Sequence, residues 1–449
     1  MDERLINKYS LPRYAETYLK KYSSGKWSVE PVQTNKYNNI VVVPAIAEYE
    51  NLLRLVKSIS EIEDEYVDET LFLFVINNSE SADKKIKSNN EKTIQFIREL
   101  KRNDNPVTEL KEIIFNRNIN IGFIDASSQC NELPEKDAGV GLARKTGMDL
   151  ALNLFDYENN RKKILICLDA DCIVEKNYLK AIVEEVNEKN IEAGYVQYEH
   201  KLPENEIEQN AIVCYEIFLR YYTLGLEYAG SPFSFAAIGS TMFCDVESYC
   251  RIGGMNKRKA AEDFYFLEKL AKITRIQKID SSRVYPSSRK SWRVPFGTGQ
   301  RINRFTAQTH EEYLLYDPRI FIVLKKWLNV FYSEKVLSGN EYLKEAEMIN
   351  PFLSSFLKIN SFTESWDKII KNSKTSEQIQ KQKTMWMDGF RTLKLVHYLR
   401  DVAFPQINMF DAIDEIFSMI GVENEIVRKE KIPPLNVQLS YLNKVRDIS

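Results

Sequence analysis

Between Ile40 and Asp171 the chain alternates short β-branched runs with stretches whose apolar residues recur at helical spacing, and this alternation restricts the fold more than any other feature. Ile40-Val41-Val42-Val43-Pro44 reads as a buried strand ended by proline. Glu50 to Ile62 follows, with Leu52, Leu53, Val56 and Ile59 on one helical face. Leu71 to Ile76 is a second buried strand, closed by the turn-forming Asn77-Asn78-Ser79. Lys92 to Leu100 is helical, Glu112 to Phe115 a short third strand, and Gly141 to Leu154 a helix. Lys163 to Leu168 is a fourth strand that runs straight into Asp169-Ala170-Asp171. Strands separated by helices need right-handed crossovers, so the expected class is α/β, a Rossmann-like and mostly parallel sheet flanked by helices.

After about residue 310 the pattern changes, the limit being good to a few positions. Ile320–Tyr332, Glu341–Phe356 and Met409–Ile420 carry helical periodicity without strands. The expected division is therefore an N-terminal extension over 1–37, an α/β domain over 38–310 and a helical region over 311–449. Within the domain, 38–175 forms one half and 176–310 the other. Lys+Arg 62 against Asp+Glu 64 gives a net charge of −2, which supplies no basic field for nucleic acid. Six cysteines without a C-x-x-C pair, and only three histidines, speak against a Cys/His zinc site. The charged opening MDERLINKYSLPRY lacks an apolar leader core, and no run of about 18 apolar residues occurs, so no transmembrane segment is expected. The expectation is a cytoplasmic protein with free thiols, any membrane contact being peripheral.

Ligands of parallel sheets sit beyond the carboxyl ends of the strands, which points first to Glu48, Asn77, Asn78, Asp169 and Asp171. Two carboxylates two positions apart at a strand end repel unless a cation, hydrogen bonds or a raised pKa intervenes. A divalent ion shared with a substrate phosphate is one resolution. The other is that Asp171 caps a helix starting near Val174 while Asp169 is solvated. Glu262-Asp263 opens a further helical segment, where acidic residues also serve as ordinary caps. Gly239 and Gly253-Gly254 just upstream suggest close backbone packing near a cleft. Cys167 and Cys172 read as small core residues, and Tyr215, Phe218, Tyr221, Tyr222 and Tyr228 as helix core.

Five segments, in order, resemble the family 2 glycosyltransferases of the GT-A fold. Val41 to Glu48 looks like the family's opening strand and loop, and Phe74-Val75-Ile76-Asn77-Asn78-Ser79 like its second strand and following loop. Gly141-Leu142-Ala143-Arg144-Lys145 looks like its glycine–arginine helix start, and Leu168-Asp169-Ala170-Asp171 like its D-x-D. Gly253-Gly254-Met255 followed by Glu262-Asp263 looks like its paired glycines and E-D acid motif. The resemblance spans about residues 38–305. It implies that Pro44, Ala45 and Glu48 line the base and ribose, with Asn77 or Asn78 at the base-contacting position where the family usually has Asp. Arg144 would lie near the nucleotide, Asp169 against the ribose or the metal, and Asp171 on the metal. Asp263 would be the general base, with Glu262 beside it.

The implied activity is metal-dependent transfer of a sugar from a nucleotide-diphosphate sugar, a UDP-sugar first, to an acceptor hydroxyl. The metal would be Mn or Mg, the outcome inversion, and the setting polysaccharide or glycoconjugate biosynthesis. The acceptor, whether glycan, lipid-linked or small molecule, is not specified. Downstream, Arg289 to Arg301 forms a glycine-containing segment in which Arg293 and Arg301 either fold over the diphosphate or stay solvated on the surface. His310 is a further metal-ligand candidate or an ordinary surface histidine. A sugar-phosphate nucleotidyltransferase is the rival enzyme class, though Ala45-Ile46-Ala47-Glu48 lacks the glycines of its phosphate loop. A noncatalytic sugar-nucleotide-binding scaffold on the same fold is the third reading.

Overall fold

The computed structural model describes residues 11–101 apart from 24, 31, 33 and 35, residues 109–290, and residues 297–449. They form two compact units, one drawn chiefly from Met1–Lys201 and Ala237–Ser287, the other chiefly from Leu202–Ala236 and Gly297–Ser449.

The first unit is the α/β body. In chain order it holds α1 (Arg13–Tyr22), β1 (Asn39–Ala45), α2 (Tyr49–Ser60), β2 (Thr70–Asn77), α3 (Lys84–Lys101), α4 (Glu109–Asn116) and β3 (Asn120–Ala126). It continues with α5 (Val140–Ala151), β4 (Ile164–Cys167), β5 (Ile173–Val174), α6 (Tyr178–Glu188) and β6 (Ala193–Tyr198). After an excursion into the other unit come β7 (Met242–Asp245), α8 (Val246–Arg251), α9 (Glu262–Ala271) and β8 (Ile276–Tyr285). The eight strands form one sheet in the order β3-β2-β1-β4-β7-β6-β8-β5. Strands β3, β2, β1 and β4 are mutually parallel, and β7 is antiparallel to both β4 and β6. All eight residues of β2 are buried, as a strand covered by helices on both faces requires.

Two local expectations change. Proline does not end β1: Pro44 and Ala45 still pair with Val75 and Ile76 of β2. The carbonyl of Val42 accepts from Leu168 N–H on the β4 side, so the missing N–H of Pro44, two residues on, points to that side too. The pairing with β4 has already stopped at Val42↔Cys167, and no ladder bond is lost. Glu112 to Phe115 lies in helix α4, and the third strand is Asn120–Ala126. A short apolar run carries no period of its own, and here Phe115 remains 64% exposed, which a strand inside this sheet would not allow.

The division along the chain also differs from the expected one. Part of the 1–37 segment belongs to the α/β unit: α1 packs on α8, and Tyr18 is buried. Helix α7 (Glu206–Tyr228), expected in the second half of the α/β domain, belongs to the helical unit. Its Ile217, Tyr221 and Leu224 share a core with Phe321, Leu324 and Trp327 of α11 (Arg319–Phe331), α10 being Thr298–Thr306. Gly225 lets the helices meet, since a Cβ there would stand 2.4 Å from the Phe321 ring. The helical unit continues through Leu435–Ile448, with stacked or edge-on rings of Trp327, Phe331, Tyr342, Phe362 and Trp366 at its centre. Among the described residues no helix is long and apolar enough to cross a membrane.

Candidate active site

Because β1, β2 and β4 run parallel, the loops that follow them leave the sheet at one edge. Glu48, Asn77, Asn78, Asp169 and Asp171 all lie in or next to those loops. The carboxylate oxygens of Asp169 and Asp171 and the Sγ of Cys172 lie within 4.8 Å of one another. Asp171 caps no helix. Cys172 and then β5 follow it, and α6 begins only at Tyr178 with Asn177 in the cap position.

The centre of the site is Arg144. It sits on α5, is 1% exposed, and its guanidinium pairs with Asp169 through Nη2 and with Glu262 through Nη1. One cation thus joins the D-x-D motif to the start of α9. Burial opposes its charge, but Asp169 and Glu262 more than offset that and hold its pKa above the ordinary value. Gly239 makes the packing feasible, because a Cβ there would stand 2.5 Å from the same guanidinium. The reading of Arg144 as a residue near the nucleotide is therefore refined: its two terminal nitrogens are engaged by protein carboxylates.

Glu262 and Asp263 behave differently although they are adjacent. Glu262 is 4% exposed, and burial pushes its carboxyl up to about 7 against the pull of Arg144. Asp263 is partly exposed, and its Oδ1 accepts from the Phe264 N–H at 2.7 Å. Desolvation raises its pKa too, with Arg144 opposing. The cap residue of α9 is Ala261, in the left-handed region with φ 57° and no side-chain bond. Neither acidic residue occupies the cap position, although Asp263 does take a first-turn N–H.

Two carboxylates that share a few ångströms at a strand end fit a hard divalent ion, which takes oxygen donors. Burial holds the Cys172 thiol well above its ordinary pKa, and it hydrogen-bonds Ser240, so the oxygens are the natural ligands. Cys172, read from the sequence as a small core residue, is buried as that reading expects. Cys167 is a buried strand thiol with its pKa pushed up to about 12, as a core residue should be.

The residues around β1 and β2 form a latch. The Asn77 Nδ2 donates to the carbonyls of Ala45 at 3.1 Å and Val75 at 3.0 Å. The Asn78 Nδ2 donates to Ser79 and Ser127 carbonyls. Asn90, inside α3, donates to Asn77 O and Asn78 Oδ1 and accepts from the Ala47 N–H at 2.8 Å. Both amide nitrogens at the expected base-contacting position are thus engaged within the protein. Asn90 was missed; a buried Asn in a helix interior, where it is disfavoured, is the signal that would have found it. Glu48 is 5% exposed and its Oε2 accepts from Asn51 at 2.6 Å.

Arg301 belongs to the helical unit, where it pairs with Glu312 at 2.6 Å and lies 4.6 Å from the Phe218 ring centre. Arg293 lies outside the described residues. His310 is exposed, its Nδ1 beside Thr309 Oγ1, and is not among the groups gathered at Asp169 and Asp171.

No family model matches the chain. No curated protein matches it either. Solved structures similar to it include Staphylococcus aureus TarS 1-349 in complex with UDP-GlcNAc, at TM-score 0.37 and 12% identity, covering 78% of this chain and 92% of that one. The same protein in complex with UDP is similar at TM-score 0.34 and 13% identity, covering 92% and 90%. The mannosyltransferase PcManGT from Pyrobaculum calidifontis, in complex with GDP-Man and Mn2+, is similar at TM-score 0.35 and 14% identity, covering 86% and 90%. Likeness at this level assigns no substrate, and the chemistry rests on this chain's own residues.

Proposed function

We propose that this chain is a metal-dependent glycosyltransferase of the GT-A, family 2 type, moving a sugar from a nucleotide-diphosphate sugar to an acceptor hydroxyl. The observation that carries this reading is Arg144 holding Asp169 and Glu262 together, which sets the D-x-D carboxylates beside the E-D pair. Capping alone would not gather three acidic residues, Asp169, Glu262 and Asp263, around one buried cation.

Asp171, with Asp169, would hold a divalent ion, Mn or Mg. When bound it supplies Lewis-acid neutralisation of the diphosphate leaving group. Asp263 takes the proton of the acceptor hydroxyl as that oxygen bonds to the anomeric carbon. The nucleoside diphosphate departs with the electron pair of the broken C–O bond. Attack opposite the leaving group inverts the anomeric centre. Burial, by raising the affinity of Asp263 for a proton, makes it a stronger base near neutral pH. Glu262 is fixed on Arg144 and serves to place its neighbour and Asp169. The donor read first is a UDP-sugar, with Pro44, Ala45 and Glu48 at the nucleotide.

Incubation with Mn2+ and a panel of sugar nucleotides tests the reading. Release of a nucleoside diphosphate that stops in Asp171→Ala supports it. Formation of a nucleoside triphosphate and a sugar 1-phosphate when pyrophosphate is added would assign nucleotidyl transfer instead, and binding without release would assign a scaffold.

A further inference from the structure

Helix α3 carries none of the five segments on which the resemblance rests, yet two of its side chains reach the loops after β1 and β2. Asn89 and Asn90 are adjacent in its interior, where asparagine is a poor helix former because its amide competes for backbone partners. Here both amides bond outside their own helix. Asn89 Oδ1 accepts from the Tyr49 N–H at 3.0 Å. Tyr49 opens α2, whose cap residue Glu48 gives that helix no side-chain bond, so α3 supplies the cap instead. Asn90 is 1% exposed, and its single amide joins three places. Its Oδ1 accepts from the Ala47 N–H at 2.8 Å, and its Nδ2 donates to the Asn77 carbonyl at 2.9 Å and to Asn78 Oδ1 at 2.8 Å.

Ala47 shows what that amide does. Its φ of 51° lies in the left-handed region, which an alanine populates about tenfold less than the right-handed one. It stands between Ala45 and Glu48, so its backbone sets the direction in which the chain turns from β1 into α2. The Asn90 oxygen fixes the N–H of that residue while its nitrogen fixes the loop after β2. One buried side chain thereby sets the spacing of the two loops. A loop held in one shape before a ligand arrives loses little freedom when the ligand binds.

We propose that Asn90, with Asn89 beside it, is a positioning residue for the nucleotide. It keeps Ala47 left-handed and the two loops at a fixed spacing, and it touches no ligand itself. This rests on the donor reading, which puts Pro44, Ala45 and Glu48 at the nucleotide.

Titration calorimetry of the full chain with UDP and with GDP, each with Mn2+, tests it. Asn90→Ala should weaken nucleotide binding at least about tenfold, with the circular dichroism spectrum kept. Adding Ala47→Gly to that variant should recover several-fold of the loss, because glycine takes the left-handed conformation unaided. A purely structural role predicts the opposite, since a more flexible residue does not repair lost packing. Asn89→Ala removes one bond from a partly exposed side chain and should weaken binding about two- to tenfold. Affinity unchanged in Asn90→Ala, or in Asn89→Ala should the first variant not fold, would overturn the proposal and leave the donor reading standing. A loss in Asn90→Ala that Ala47→Gly leaves unrelieved would overturn it too. A wild type that binds neither nucleotide would overturn the donor reading and this proposal with it.

Discussion

Replacing Glu262 with glutamine should make the protein more stable than the wild type at pH 8, although it removes one partner of a buried ion pair. The native carboxyl holds its proton up to about 7, whereas the unfolded chain releases it near its ordinary 4.5. Between those values the native state binds more protons than the unfolded one, so stability falls as pH rises and levels off above about 7. At about 1.4 kcal/mol per tenfold change in proton affinity, the displacement is worth on the order of 3 kcal/mol. Glutamine keeps an oxygen for Arg144 but cannot ionise, and Arg144 remains paired with Asp169. The variant should therefore match the wild type near pH 4.5 and exceed it by up to that amount at pH 8. Asp263 feels the same relief, which adds in the same direction. Urea unfolding at pH 4.5, 6, 7 and 8, with hydrogen-exchange protection in β1 and β4 as the readout of the α/β unit, measures the difference. A variant less stable than the wild type at pH 8, or a difference flat across the range, would refute the reasoning. Attraction to Arg144 would then outweigh the cost of burying the charge.

Asp171→Asn should abolish metal-dependent nucleotide binding, seen by calorimetry with and without Mn2+, while circular dichroism stays unchanged. Asp263→Asn should lower turnover at least about a hundredfold with donor affinity intact, since a general base contributes that much and an amide cannot take the proton. Near-normal turnover would leave Asp263 as a partner of the Phe264 N–H and no more. Gly239→Ala puts a methyl 2.5 Å from a guanidinium that Asp169 and Glu262 hold in place, and should cost about 1–3 kcal/mol in urea unfolding. It should also weaken metal-dependent nucleotide binding by moving Asp169.

Much of the architecture was legible in the residues. The apolar runs of β1, β2 and β4 and the periodicity of α2, α5 and Met409–Ile420 stand where the pattern puts them, because burial on a sheet or helix face imposes that pattern directly. The chemistry-bearing residues after β1, β2 and β4 follow from strand direction in a parallel sheet, which the alternation of elements already implies. Tertiary packing decided the rest. The run Glu112–Phe115 is too short to declare its period, and only the exposure of Phe115 settles it as helix. Helix α7 could have served either part of the chain; the fit of Phe321 over Gly225 gives it to the helical unit. Above all, the sequence presents Arg144, Asp169 and Glu262 as three separate motifs. Their union depends on α5, the end of β4 and the start of α9 converging around one buried guanidinium, a long-range electrostatic contact that no local periodicity encodes.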